Sequence, residues 1–183
     1  MAIVRRKIFL TRQEANKNDI ALIDTADKLI RFAKAHEVNC DPLDVEDLAK
    51  KLGIRVEFVE LSDDLSGKLF YDEESGQWRI QVNTYHHPNR QRYTIAHELG
   101  HFCKHKHLSH IFEDKIFFRG GESKRSEWQA NEFASEILMP EYKFKKQVRS
   151  GVKEIKDLAR FFKVSTLTVR LRAKSLGMSG HGL

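Results

Sequence analysis

The pentapeptide His97-Glu98-Leu99-Gly100-His101 constrains this chain more than any other feature. It spells H-E-x-x-H, two histidines four positions apart with a carboxylate beside the first. A helix stacks residues i and i+4 on one face. Two neutral imidazoles so placed hold one zinc ion, and the adjacent glutamate can take a proton from water at the metal. The stretch is therefore expected to fold as a helix that presents the histidine pair on one face, the plainer alternative being two histidines on an ordinary helix surface. The chemistry expected of such a centre is amide hydrolysis, that of a metallopeptidase.

The context supports a helix. Tyr93, Ile95, Ala96 and Leu99 supply apolar positions, and Gly100 leaves room for close packing beside the metal. A catalytic zinc needs a third protein ligand and an open position. Glu127, on a later helical stretch, is one candidate; His107, ten residues after His97, is the other. The His107 alternative has metzincin spacing, H-E-x-x-H-x-x-G-x-x-H, but Lys104 stands where that motif breaks the helix with glycine, so Glu127 is favoured. Glu132 and Glu136 are weaker choices, set off the Glu127 face or near the apolar Ile137-Leu138 end. Asn131, one turn after Glu127, can hydrogen-bond the second nitrogen of a ligand histidine and fix its tautomer. Glu98 has the role of general base. For an oxyanion donor, Tyr93 and the histidines His86, His87, His105, His107 and His110 are available, and the sequence singles out none.

Length and composition bound the rest. The 183 residues are 40% hydrophobic and 32% charged, enough for one domain with a real core. No window supplies the ~18 apolar residues of a membrane span. The opening MAIVRRKIFLTRQEANKND is basic but lacks the apolar run of a signal peptide, so a cytoplasmic location is expected. Cys40 and Cys103 make neither a metal-type pair nor a disulfide framework and read as small reduced side chains. Charge is uneven: from Glu141 onward eleven Lys or Arg face three Asp or Glu, a net of +8, leaving the first 140 residues at −2 of the total +6. Such a basic segment is either a solvated helical face or a contact for an acidic partner.

Apolar spacing predicts a helix over Asp19 to His36 and a shorter one from Asp41 that Gly53 stops. Strands are expected at Ile54 to Val59, Gly67 to Tyr71 and Trp78 to Val82, the last two forming a hairpin around Asp72 to Gly76. Asn83 to Arg90 reads as a loop, Gln91 to His105 as the motif helix, and His107 to Gly121 as irregular. Ser123 to Met139 is helical up to Pro140, and shorter helices follow. If Trp78 to Val82 lies at a sheet edge, it can pair with an extended substrate; as an interior strand it cannot.

Arg90-Gln91-Arg92-Tyr93-Thr94-Ile95-Ala96-His97-Glu98-Leu99-Gly100-His101, together with Glu127-Trp128-Gln129-Ala130-Asn131-Glu132-Phe133-Ala134-Ser135-Glu136-Ile137-Leu138-Met139-Pro140, resembles the ImmA/IrrE family of metallo-endopeptidases. The likeness runs from about Pro42 to Leu176. It implies His97, His101 and Glu127 as ligands to one Zn2+, with Glu98 as general base; Mn2+ or Fe2+ suits the same donors. It also implies an α+β fold, a small mixed β-sheet with a gluzincin-like helical core. The expected division is an N-terminal helical extension (1–40), a metallopeptidase domain (41–140) and a basic C-terminal helical segment (141–183) packed on it, with a frayed tail from about Gly177. The resemblance further implies a protein substrate, a helix-turn-helix repressor of a mobile-element, stress-response or toxin–antitoxin-like locus.

Asp157 to Arg172 itself reads as a helix-turn-helix. Ala159 sits at the crossing, Val164 at the turn, Ser165 or Thr166 caps the second helix, and Lys163 replaces the usual turn glycine. Thr166, Thr168, Arg170 and Arg172 are candidates to face DNA, although packing on the peptidase or docking of substrate is the favoured role. The competing reading of the whole chain is a non-catalytic repressor- or DNA-binding regulator that keeps the zinc fold. An intact Glu98 argues against it, because a structural zinc site needs no general base.

Overall fold

The structure is a computed structural model that describes residues 20–115, 121–152 and 154–178. Helix α1 (Ala26–Ala35) starts where the Thr25 hydroxyl accepts from the Lys28 backbone N–H. That cap is worth about 1 kcal/mol. Helix α2 (Val45–Lys51) starts where the Asp44 carboxylate accepts from the N–H groups of Glu46 and Asp47. Gly53, at φ 76°, turns the chain out of α2 into the sheet. Strands β1 (Arg55–Val59), β2 (Leu65–Asp72), β3 (Gln77–Asn83) and β4 (Ile111–Lys115) form one mixed sheet in the order β1-β3-β2-β4. β1 runs parallel to β3, and the other two pairings are antiparallel.

Against this sheet lies α3 (Pro88–His105), which carries the motif. Gly67 of β2 is the contact point: a Cβ there would meet the Thr94 methyl at 2.4 Å and the Gln81 carbonyl at 2.7 Å. Helix α4 (Gly121–Leu138) packs along α3. Helices α5 (Glu141–Arg149), α6 (Ile155–Phe162) and α7 (Thr166–Ser175) complete the fold. A single core runs from Ile23 to Ala173 and takes Leu29, Leu48, Ile80, Leu99, Phe133, Phe144 and Leu158 out of water. Each contributes on the order of 1.5–3 kcal/mol. The N-terminal helix and the C-terminal helices thus share one core with the motif helix. The fold is α+β, with a small mixed sheet.

Several expectations need correction. The expected helix over Asp19 to His36 is interrupted: residues 20 and 21 are helical, residues 22–25 are not, and helix α1 starts at Ala26 after the Thr25 cap. Asn83 to Arg90 is not wholly a loop, since α3 begins at Pro88 with His87 as its cap. Residues 111–115 are not irregular: they form β4, which the sequence hides because Glu113, Asp114 and Lys115 break any apolar alternation. Trp78 to Val82 is an interior strand flanked by β1 and β2, so it offers no edge to a substrate. The expected irregular residues Ile116, Phe117, Phe118 and Gly120, the tail beyond Met178 and the chain before Ile20 lie outside the described residues.

Candidate metal centre

The helix-turn-helix positions fall where expected for packing. Ala159, Val164 and Val169 are buried, Ser165 caps α7 by accepting from the Thr168 N–H, and Lys163 adopts the left-handed conformation at φ 52°. Arg172 departs from expectation. It is buried, and its Nε donates to the Met139 carbonyl at 3.1 Å, so it cannot face phosphates.

The centre itself forms where α3 crosses α4. His97 and His101 are buried on the α3 face toward α4, with their Nε2 atoms 3.1 Å apart. The Glu127 carboxylate of α4 meets both, one oxygen 3.2 Å from each Nε2. These three donor atoms lie within 4.8 Å of one another, a spacing that one ion bonded to each at about 2.0–2.2 Å accommodates. The donor set, two imidazoles and a carboxylate, is one that could hold a divalent metal ion.

Both imidazoles are held in the tautomer a metal needs. The Asn131 Oδ1 lies 3.2 Å from His97 Nδ1 and also accepts from the Tyr93 hydroxyl at 3.0 Å. As an acceptor it keeps the proton on Nδ1 and leaves the His97 Nε2 lone pair free. A second chain serves His101. The Gln129 Oε1 accepts from His105 Nε2 at 2.9 Å, which leaves His105 Nδ1 to accept from His101 Nδ1 at 3.2 Å. The His101 ring is further stacked on Phe112 of β4, centroids 4.8 Å apart.

Electrostatics mark the same spot. Burial pulls the His97 imidazole down, but its hydrogen bond to Glu127 and the charges of Asp114, Glu98 and Glu127 together more than reverse this and raise it to about 9. Burial would lift Glu127, yet the two imidazoles hold it at about 2. His101 is lowered, by burial and by the neighbouring His97. One proton therefore serves the imidazole pair, in the place where an ion would bind. Glu98 is fully buried, and neither of its carboxyl oxygens has a hydrogen-bond partner. Burial drives its pKa well above the ordinary value; His97 opposes this, and the charges of Asp114 and Glu127 add to it. An unpartnered buried carboxyl costs free energy unless a ligand or reacting water satisfies it.

The structure brings His97, Glu98, His101, Glu127, Asn131 and Tyr93 together. It leaves His107 exposed in the turn after α3, in no ligand group among the described residues. Asp114 of β4 has a donor atom within 4.8 Å of those of His97 and Glu98, and sequence reasoning passed over it because its strand was not recognised. His105, considered only as an oxyanion donor, supports His101; its i+4 spacing from His101 was the available signal.

The family model for the IrrE N-terminal-like domain, Peptidase M78, matches residues 49–174. The chain belongs to that family. Its match takes in α3, α4 and the helices through α7, so the centre and the C-terminal helix pair lie within one family domain. A solved structure of a Mycobacterium tuberculosis transcriptional regulator is similar, with a TM-score of 0.60 and 17% identity over 87% of this chain and 50% of that one. That likeness concerns the fold, and this chain spans about half the length of the regulator. The comparison with curated proteins gives no match. Among the described residues, no helix of this Peptidase M78 member is long and apolar enough to cross a membrane.

Proposed function

We propose that this chain is a zinc-dependent endopeptidase of the cytoplasm. The observation that carries the reading is the buried, unpartnered Glu98 carboxyl beside three converging donors on His97, His101 and Glu127. Those residues would hold one divalent ion, which supplies Lewis acidity to the scissile carbonyl and lowers the pKa of water; Zn2+ suits the donors, and Mn2+ or Fe2+ is compatible. Glu98 takes a proton from the attacking water as the carbon–oxygen bond forms. It then delivers that proton to the amide nitrogen as the carbon–nitrogen bond breaks, giving a carboxylate and an amine. Asn131 and the His105–Gln129 pair keep both ligand rings in register through this exchange. β4 is the outer strand at the centre, so it takes the substrate-pairing role that β3 cannot.

The substrate we infer is a protein, a helix-turn-helix transcriptional repressor. This rests on the family resemblance, and the regulatory description of the similar Mycobacterium tuberculosis protein agrees with it. Glu98→Gln separates catalysis from regulation by binding alone: it should retain the metal and lose cleavage of such a repressor. Cleavage retained at the wild-type rate would remove Glu98 from the mechanism and favour the non-catalytic regulator.

A further inference from the structure

A cavity of about 770 Å³ opens beside the centre. Tyr93, Asp114, Glu127 and Asn131 line it, and residues of α7 form another part of its wall. Trp128, next in sequence to the ligand Glu127, lines the same space, as do Leu167 and Leu171. These three large apolar side chains are 62%, 63% and 58% exposed. Single exposed apolar residues are ordinary, but three around one cavity beside a candidate reaction centre mark a binding surface. Leu167 and Leu171 are four residues apart and share a helix face.

That wall is rigid. Val164, Val169 and Ala173 anchor the turn and α7 in the core, Arg172 is tied to the Met139 carbonyl, and Asn89 Nδ2 donates to the Val164 carbonyl at 3.3 Å. The lining offers a polyanion no excess of positive charge. Three carboxylates, Asp114, Glu127 and Glu132, face two guanidiniums, Arg90 and Arg172, whose hydrogen bonds already go to the Ser66 hydroxyl and the Met139 carbonyl. An uncharged peptide needs no such excess, and continuity with Glu127 puts its backbone at the candidate reaction centre.

We infer that Trp128, Leu167 and Leu171 form a subsite for a large apolar side chain of an extended peptide, so that the second helix of the helix-turn-helix serves as a wall of the peptidase cleft. The inference rests on the peptidase reading, and its test separates the two. The full chain carrying Glu98→Gln and Trp78→Phe leaves Trp128 as the sole tryptophan and stops turnover. Zinc-loaded, it is titrated with blocked decapeptides of Ala, Gly and Ser that carry one central Leu or Phe, and with a twin carrying Ser there. The Leu and Phe peptides should shift Trp128 emission to the blue and bind at least ~10-fold more tightly than the Ser twin. Adding Leu167→Ser and Leu171→Ser, both on the exposed face, should erase that difference while bound zinc is unchanged. Equal binding of all three peptides, or a preference that survives the double change, overturns the subsite. So does a random-sequence duplex, or a self-association seen by sedimentation, that binds through this face and is lost in the double variant. Absence of cleavage by the wild-type chain, with the Leu preference intact in the binding assay, overturns the peptidase reading and leaves the subsite standing.

Discussion

A Cβ placed on Gly100 would lie 3.0 Å from both the Cα and the carbonyl oxygen of Ala130. This contact sets the crossing of α3 and α4. Gly100 sits between His97 and His101 of α3, and Ala130 lies one turn after Glu127, so the closeness of the two backbones brings the carboxylate to both imidazoles. Gly100→Ala pushes backbone against backbone, with no flexible side chain to yield. The variant should lose about 1–3 kcal/mol of stability and bind zinc more weakly. Denaturant melts with and without metal measure both; unchanged values would mean the crossing has slack.

The raised His97 and lowered Glu127 give the metal-free chain a defined pH response. His97, raised from 6.5, contributes stability fully below about pH 6.5 and loses it as pH climbs through about 9. Glu127, lowered from 4.5, contributes above about pH 4.5 and loses it as pH falls through about 2. The pair therefore stabilises the metal-free chain most between those ordinary values.

Metal binding has the opposite slope at alkaline pH, because a ligand imidazole must first give up its proton. Zinc affinity should rise roughly tenfold per pH unit from 7 toward 9 and then level. Titration calorimetry in buffers of different ionisation enthalpy counts the proton released. Pooled metal affinities that do not vary with pH would separate His97 from the ligand set.

Asn131→Ala and His105→Ala should each weaken zinc binding about 10–100-fold, with the fold kept. Each removes the partner that fixes a ligand tautomer. Tyr93→Phe, which removes the hydroxyl that donates to Asn131 but leaves the Asn131–His97 contact, should act in the same direction and more mildly. Metal competition assays alongside circular dichroism distinguish these outcomes from unfolding.

Asp114→Asn removes a negative charge that helps hold Glu98 above its ordinary range. The Glu98 pKa should fall, and since the base must be ionised to act, the acid limb of the kcat/KM profile should move to lower pH. A limb that stays in place would show that Asp114 does not help to set the Glu98 pKa.

Much of the centre was legible because it is local. The i, i+4 spacing of His97 and His101 and of Glu127 and Asn131 follows from helix geometry, which acts within one element. β4 was not legible: the pairing of Phe112 with Leu69 and of Asp114 with Gly67 comes from β2, more than forty residues earlier. The interior place of Trp78 to Val82 was hidden for the same reason, since a strand carries no record of its neighbours. Arg172 looked like a phosphate contact because a basic side chain on a helix reads as exposed. Only the Met139 carbonyl, 33 residues away in the chain, gave it a buried partner.

The sequence by itself marked the His97/His101 pair with Glu98 beside it, and offered Glu127 and His107 as the partners of that pair. Those readings depend on residue type and on periodicity within a single helix, and the α+β character came from the family resemblance. The tertiary structure decided the strand order, the presence of Asp114 and His105 beside the His97/His101 pair, and the place of α7 residues along the same cavity as Glu127. Those depend on which distant surfaces pack together, and close packing across elements is a property of the whole core rather than of any one stretch of chain.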